Sequence, residues 1–182
     1  MRTYGKLKLS VQSDPDWRQL SHTAQWLYWA LVGSEKLSAC GALEWRPKLF
    51  AALSPTLNVD GVESAVNELR AAKYVVLDDE TDELVLRSFI RNDDVVSNKN
   101  MMVSVIKAWR MIYSLPLRGV VVHELLRLQH EHPQYPIWEH PDMIEAIKRT
   151  QPVNVFELDA PDVDEAFEGI TASSWGAAKS TF

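Results

Sequence analysis

The stretch from Asp60 to Phe89 constrains the fold of this chain more than any other. Val62, Ala65, Val66 and Leu69 recur at the three- and four-residue spacing of one helical face, and the pattern ends near Lys73. Asp60 followed three residues later by Glu63 reads as a capping box that opens this helix. Tyr74, Val75, Val76 and Leu77 then form a β-branched and aromatic run that suits a strand. Five acids in the six residues 78–83 make a polar turn, and Leu84 to Phe89 supplies the return strand.

The preceding segments complete a recognisable order. Residues 4–11 alternate loosely, as a short edge strand would. Asp14 is placed to cap a helical turn with Pro15 at its first position. Ser21 caps a stronger helix over about 22–32. Leu20, Ala24, Leu27 and Leu31 line one of its faces, and Trp26, Trp29 and Ala30 a second, so this helix is expected at the centre. Residues 42–45 suit a short strand, and Pro47 starts a helix that runs to about Leu53 and stops before Pro55. Helix, short strand, helix, helix, strand, turn, strand is the order of a winged helix, with the hairpin as the wing.

Past Asp94 the periodicity is helical. Ser97 or Asn98 is placed to cap a helix carrying Met102, Val105, Ile106, Trp109 and Ile112 on one side. Ser114-Leu115-Pro116 breaks it and opens another, with Leu117, Val121, Leu125 and Leu128 in its stripe. The short connection favours antiparallel packing. A last helix is expected over 141–149. The fold class is therefore mainly α with a small β-hairpin. A winged helix-turn-helix domain spans 1–95, an α-helical hairpin 96–150, and an acidic extension 151–182, with Val155 and Phe156 as apolar anchors in the last.

Charge bears on what the chain can bind. Residues 1–130 hold 16 Lys/Arg and 15 Asp/Glu, a net of +1, whereas 131–182 hold 3 and 10, a net of −7. In a helix-turn-helix the exposed face of the second helix reads bases. Here that face offers Glu63, Ser64, Asn67, Glu68 and Arg70, and Asn67 and Arg70 match adenine and guanine edges. The glutamates and the acidic wing tip oppose phosphate. Arg46 and Lys48 at the start of the preceding helix, Lys73, Arg87 and Arg91 around the hairpin, and Lys99 beyond it complete the candidate nucleic-acid contacts. Lys107 and Arg110 lie on the same later helix. All of these are equally read as ordinary solvated charges. Trp17, Trp26, Trp29, Trp45 and Trp109 suit base stacking, but their spacing favours core packing. In the acidic end, Asp159 to Glu168 interleaves acids with Val163 and Phe167. These, with Trp175, are candidate partner-binding residues, the alternative being a solubilising tail.

Enzyme chemistry finds no foothold in these residues. There is no glycine-rich phosphate loop and no nucleophile elbow. His130 and His132 are two apart, so a helix points them to different faces and no metal set forms with His123. Cys40 reads as a small buried or loop residue. Neither catalysis nor a cofactor or metal is expected. No apolar run of transmembrane length occurs, and the first residues lack a signal-peptide core. With the lone cysteine, this points to the cytoplasm and away from membranes.

Several segments carry a resemblance. They are Tyr4-Gly5-Lys6-Leu7, Asp14-Pro15-Asp16-Trp17, Leu20-Ser21-His22-Thr23-Ala24-Gln25, Cys40-Gly41-Ala42-Leu43, the run from Leu69 to Val76, and the run from Leu86 to Asp93. Over about residues 4–130 the chain resembles winged-helix proteins of actinobacteriophages, described as replication-initiation or helix-turn-helix DNA-binding proteins. The resemblance implies a part in phage DNA replication initiation, with recruitment of replication proteins and a winged helix that serves oligomerisation as much as DNA binding. The residues leave two alternatives open. One is a winged-helix transcriptional regulator. The other is a protein–protein adaptor that binds a host or phage factor without touching DNA.

Overall fold

A computed structural model describes residues 6, 8–93, 95–97 and 101–157. Residues 9–13 form a 3-10 turn, so the edge strand expected over 4–11 is not present at 9–11, while its residues 4, 5 and 7 lie outside the described residues. That turn leads directly into α1 (Pro15–Gln19), where the Asp14 side chain accepts the Asp16 N–H and Pro15 holds the first position. α2 (His22–Val32) is capped as expected by Ser21, whose hydroxyl accepts the Ala24 N–H. Next come β1 (Ala42–Glu44), α3 (Pro47–Ala51) and α4 (Val59–Ala71). α4 starts earlier than its sequence suggested. Asn58, not Asp60, is the cap and accepts the Gly61 N–H at 2.8 Å. An Asn cap satisfies the same orphan donors, and it leaves Asp60 in the first turn, where its charge suits the helix dipole.

α4 terminates at Lys73, which takes a left-handed φ of 60° and turns the chain into β2 (Val75–Asp78). The return strand β3 (Glu83–Leu86) is shorter than expected. Phe89 does not extend it but opens α5 (Phe89–Asn92). β1, β3 and β2 form an antiparallel sheet in that order, with β3 in the middle. Ala42 lies opposite Val85 on one side, and Val76 opposite Val85 on the other.

Alternation along these strands divides the interior in two. Leu43, Val75, Leu77, Leu84 and Leu86 join Trp17, Leu27, Leu31, Val62 and Leu69 in one apolar core. Ala42, Val76 and Val85 point the other way, into a second core. That second core is built by α5, α6 (Met102–Arg110), α7 (Leu115–Glu131), the 3-10 turn Pro136–Glu139 and α8 (Pro141–Arg149). The sheet is therefore the middle layer, and the hairpin does not project as an isolated wing. Burial on both faces is why β2 and β3 read as continuous apolar runs.

The later helices keep the faces that their spacing implied. Met102, Val105, Ile106, Trp109 and Ile112 are buried, as are Leu117, Val121, Leu125 and Leu128. Met101 stands at the N-cap of α6 without a side-chain cap bond, so the helix begins later than the expected Ser97 cap, while the alternative Asn98 lies outside the described residues. Ser114 caps α7 through the Leu117 N–H. α7 packs on α5, on β2 and β3, and on α8. Its junction with α6 is tied by the Trp109 indole N–H, which donates to the Arg118 carbonyl at 3.3 Å. Residues 151–157 lie against α7, with Val153 and Val155 buried and the Val153 N–H donating to the Gly119 carbonyl at 3.1 Å.

Two glycines are required by close approach. At Gly41, φ is +83° and a Cβ would fall 2.7 Å from the Phe89 Cβ. At Gly119, inside α7, a Cβ would lie 2.6 Å from the Gln151 carbonyl oxygen and 2.7 Å from a Val153 methyl. Helix propensity alone favours alanine over glycine there by about 1 kcal/mol. Gly119→Ala is nevertheless expected to destabilise the protein by about 1–3 kcal/mol in urea unfolding, because the overlap is with backbone that cannot rotate away. Increased stability would show that segment 151–157 does not sit on α7.

Candidate functional site

The residues selected from the sequence fall into two groups, and the tertiary structure separates them. Arg46 and Lys48 are exposed at the start of α3, and Arg46 forms an ion pair with Glu44. Asn67 is exposed on α4, beside Glu63 and Ser64. Glu68 does not belong to that exposed face. Its carboxylate accepts the Ser21 N–H and hydroxyl, both at 2.9 Å, and so joins α4 to the start of α2.

Hairpin charges are largely engaged within the fold. Arg70 pairs with Asp79 at 3.1 Å. Asp78 is buried and accepts the Glu80 and Thr81 N–H groups at 2.9 and 3.3 Å, which shapes the turn. Glu83 reaches the other way, accepting the Tyr113 N–H at 3.0 Å and the Ser114 N–H at 2.7 Å. It thereby holds the entry to α7. Glu80 and Asp82 remain on the surface at the tip. The acids that the sequence presents as an unbroken repulsive wing tip thus include three with structural duties.

Arg87 and Arg91, expected among the phosphate contacts, converge instead on Glu124 of α7. This carboxylate is 1% exposed. It accepts from Arg87 at 3.2 Å, from Arg91 at 3.2 Å and from Arg127 at 3.3 Å. Arg91 also reaches Glu131 at 3.2 Å, and Arg87 donates its Nε–H to the Lys73 carbonyl at 2.6 Å. The Arg91 Nε has no acceptor. Arg87 carries a further contact, with its guanidinium 4.6 Å from the centre of the Phe156 ring. A carboxylate buried this deeply is tolerated only when paired and hydrogen-bonded, and the three guanidinium groups supply both. Lys73 itself is half-buried and shapes the α4–β2 turn. Lys99, Val163, Phe167 and Trp175 lie outside the described residues.

Sequence reasoning missed Glu124. Its signal was present: the acid sits three residues after Val121 and four before Leu128, inside the buried stripe of α7. Tryptophans follow the core reading, since Trp17, Trp45 and Trp109 are buried and Trp26 and Trp29 pack against the first core. Cys40 is buried, and that burial pushes its thiol pKa up, away from nucleophilic chemistry. Among the described residues no group of three or more His, Cys, Asp and Glu is placed to hold a metal ion. No helix among them is long and apolar enough to cross a membrane.

The surface that remains around α3 and α4 is mixed. Leu49 and Leu53, four residues apart, are 60% and 63% exposed beside Arg46 and Lys48. Asp60 and Glu63 lie further along, on α4. Singly exposed apolar side chains are ordinary on protein surfaces, and Leu9, Met111 and Tyr113 are more exposed than either leucine. No protein family, characterised protein or solved structure matches this chain.

Replacing Glu124 by Leu leaves Arg87 and Arg91 without their shared acceptor. The expected loss is about 3 kcal/mol, the low end for breaking a buried pair, because the arginines are partly exposed. Urea unfolding measures it, and a loss below about 0.5 kcal/mol would rule out Glu124 as the anchor.

Proposed function

We propose that this chain is a non-catalytic module of winged-helix type that docks a protein partner through the face carrying Leu49 and Leu53. The fold part of this reading is supported by element order, by the β1-β3-β2 sheet, and by the packing of α4 against α2 and α3. The single observation that carries the functional part is the distribution of charge. The exposed side of α4 holds Asp60 and Glu63, and the hairpin tip holds Glu80 and Asp82. Meanwhile Arg87 and Arg91, which would have to offset them, are tied to Glu124. Insertion of α4 into a major groove would bring these acids towards phosphates, without those two arginines to balance them.

The second reading is DNA binding during replication initiation, as the resemblance to actinobacteriophage proteins implies, with transcriptional regulation as its variant. It is favoured by a specific feature, the exposed Arg46 and Lys48 at the start of α3, with Lys107 and Arg110 on the outer side of α6. In that mode α3 and α6 would track the backbone while α4 stays out of the groove.

Two double variants separate the readings. Leu49→Asp with Leu53→Asp is expected to abolish nuclease-resistant capture of a defined partner from cell lysate, with unchanged melting temperature because both side chains are exposed. Arg46→Glu with Lys48→Glu is expected to leave that capture largely intact. Duplex DNA retained at about 50 mM salt, released steeply by about 200 mM and lost in the Arg46/Lys48 variant, would reverse the order of the two readings.

A further inference from the structure

Acidic and basic residues are segregated along the second half of the chain. Residues 95–123 contain Lys99, Lys107, Arg110 and Arg118 and no Asp or Glu, whereas residues 157–178 contain six Asp/Glu and no Lys or Arg. The fold exposes part of the basic run at one corner, where α6 ends and α7 begins. Val103, Lys107 and Met111 follow at four-residue spacing and share the outer face of α6. Val103 is 47% exposed, Met111 69% and Tyr113, just beyond, 78%. Lys107 is exposed as well, and among the described residues no carboxylate pairs with it. Arg118 donates to the Ile112 and Arg110 carbonyls at 2.6 and 2.9 Å, and its guanidinium lies 5.5 Å from the centre of the Trp109 ring. Those contacts hold it at the corner and bring it no carboxylate. Two acids arrive from other elements. Asp142 pairs with Arg110 at 3.1 Å, and Glu83 is taken up by the Tyr113 and Ser114 N–H groups. Lys107 and Arg118 are left, among the described residues, without a counter-charge beside exposed apolar side chains.

The acidic run is long enough to reach this corner. Residues 151–157 lie along α7, with the Val153 N–H on the Gly119 carbonyl and the Phe156 ring over Arg87. Gly119 is five residues past Ser114, about 8 Å along the helix. Four residues carry the chain from Val153 to Glu157, at most about 14 Å. Glu157 is thus within roughly 25 Å of the corner, and the stretch from there to Phe167 spans up to about 33 Å. Val163 and Phe167 are interleaved with the acids of 159–168, as Met111 and Tyr113 are with the cations of the corner.

We propose that the acidic segment 159–168 docks on the α6–α7 corner of its own chain, with Val163 and Phe167 against Met111 and Tyr113 and its carboxylates beside Lys107 and Arg118. The contact is tethered, at an effective concentration on the order of millimolar, so modest attraction suffices. The docked segment covers Lys107 and Arg110, the α6 cations that a nucleic-acid backbone would use, and acts as an internal competitor for anionic partners. The inference does not rest on the partner reading above, since no residue of α3 takes part.

A nitroxide on Ala166→Cys in the isotope-labelled full chain tests it, with the buried Cys40 protected from the reagent. Broadening by the nitroxide falls steeply with distance. Amides 103–113 are expected to lose most of their intensity while those of α3 keep theirs. Lys107→Glu with Met111→Asp should restore that intensity at the unsubstituted positions, and so should Val163→Asp with Phe167→Asp. Raising salt from about 50 to about 500 mM should weaken the broadening, because the Debye length shrinks from about 14 to about 4 Å. A mixture of nitroxide-bearing chains without isotope and isotope-labelled chains without nitroxide separates the chain's own segment from that of a second copy. Broadening of 103–113 in this mixture overturns docking within one chain. The proposal also fails if 103–113 are broadened no more than α3. It fails equally if the broadening is indifferent to the Lys107/Met111 substitution while that variant melts as the parent does.

Discussion

Everything in this fold depends on a three-stranded sheet that is dry on both sides. Successive side chains of a strand point to opposite faces, so β3 sends Leu84 and Leu86 into one core and Val85 into the other. Four consecutive buried positions in β2 do the same with Val75 and Leu77 against Val76. A slip of one residue would exchange the two sets and mismatch both cores together, so the register is doubly specified. The strands are short, and a hairpin of this length is marginal alone. Its stability comes from being pressed between α2 and α4 on one side and the later helices on the other. The N-terminal unit and the helical region that follows it are thereby joined through shared strands.

Charge follows from the same layering. Once α7 covers the second face of the sheet, the arginines leaving β3 and α5 have a buried carboxylate to meet, and Glu124 collects them. Glu83, at the start of β3, reaches the turn before α7 and caps it. Glu68 caps α2 from α4. Each of these groups looks like surface charge in one dimension and acts as internal wiring in three. The consequence for function is direct. Arg87 and Arg91 are spent on a buried carboxylate, whereas Arg46 and Arg110 pair with the exposed Glu44 and Asp142, and the exposed apolar side chains include Leu49, Leu53, Met111 and Tyr113.

Much of the architecture was legible. Capping by Asp14 and Ser21, the break at Ser114-Leu115-Pro116, the apolar stripes of α2, α4, α6 and α7, and the hairpin order all follow from local rules of spacing and termination, and they hold. The errors share a cause. Residues 9–13 wind into a turn because they must feed α1. Phe89 folds into α5 because its ring fills the first core beside Gly41. Asn58 replaces Asp60 as cap because either residue type can accept the first amides of a helix, and spacing alone does not choose between them. For the candidate site the record is weaker. Exposed positions such as Arg46, Lys48 and Asn67 were read correctly as surface, whereas Arg70, Arg87 and Arg91 carry partners that no local pattern names.

What the residues alone determined is therefore the longer helices, the hairpin and the inward faces of those helices, because helix and strand periods are properties of adjacent covalent geometry. Only the tertiary structure decided that the hairpin lies between two layers, which charges face one another, and which side chains stay exposed. Those outcomes depend on distances between residues tens of positions apart. Coulomb and hydrogen-bond energies vary with such distances, and a linear pattern does not contain them.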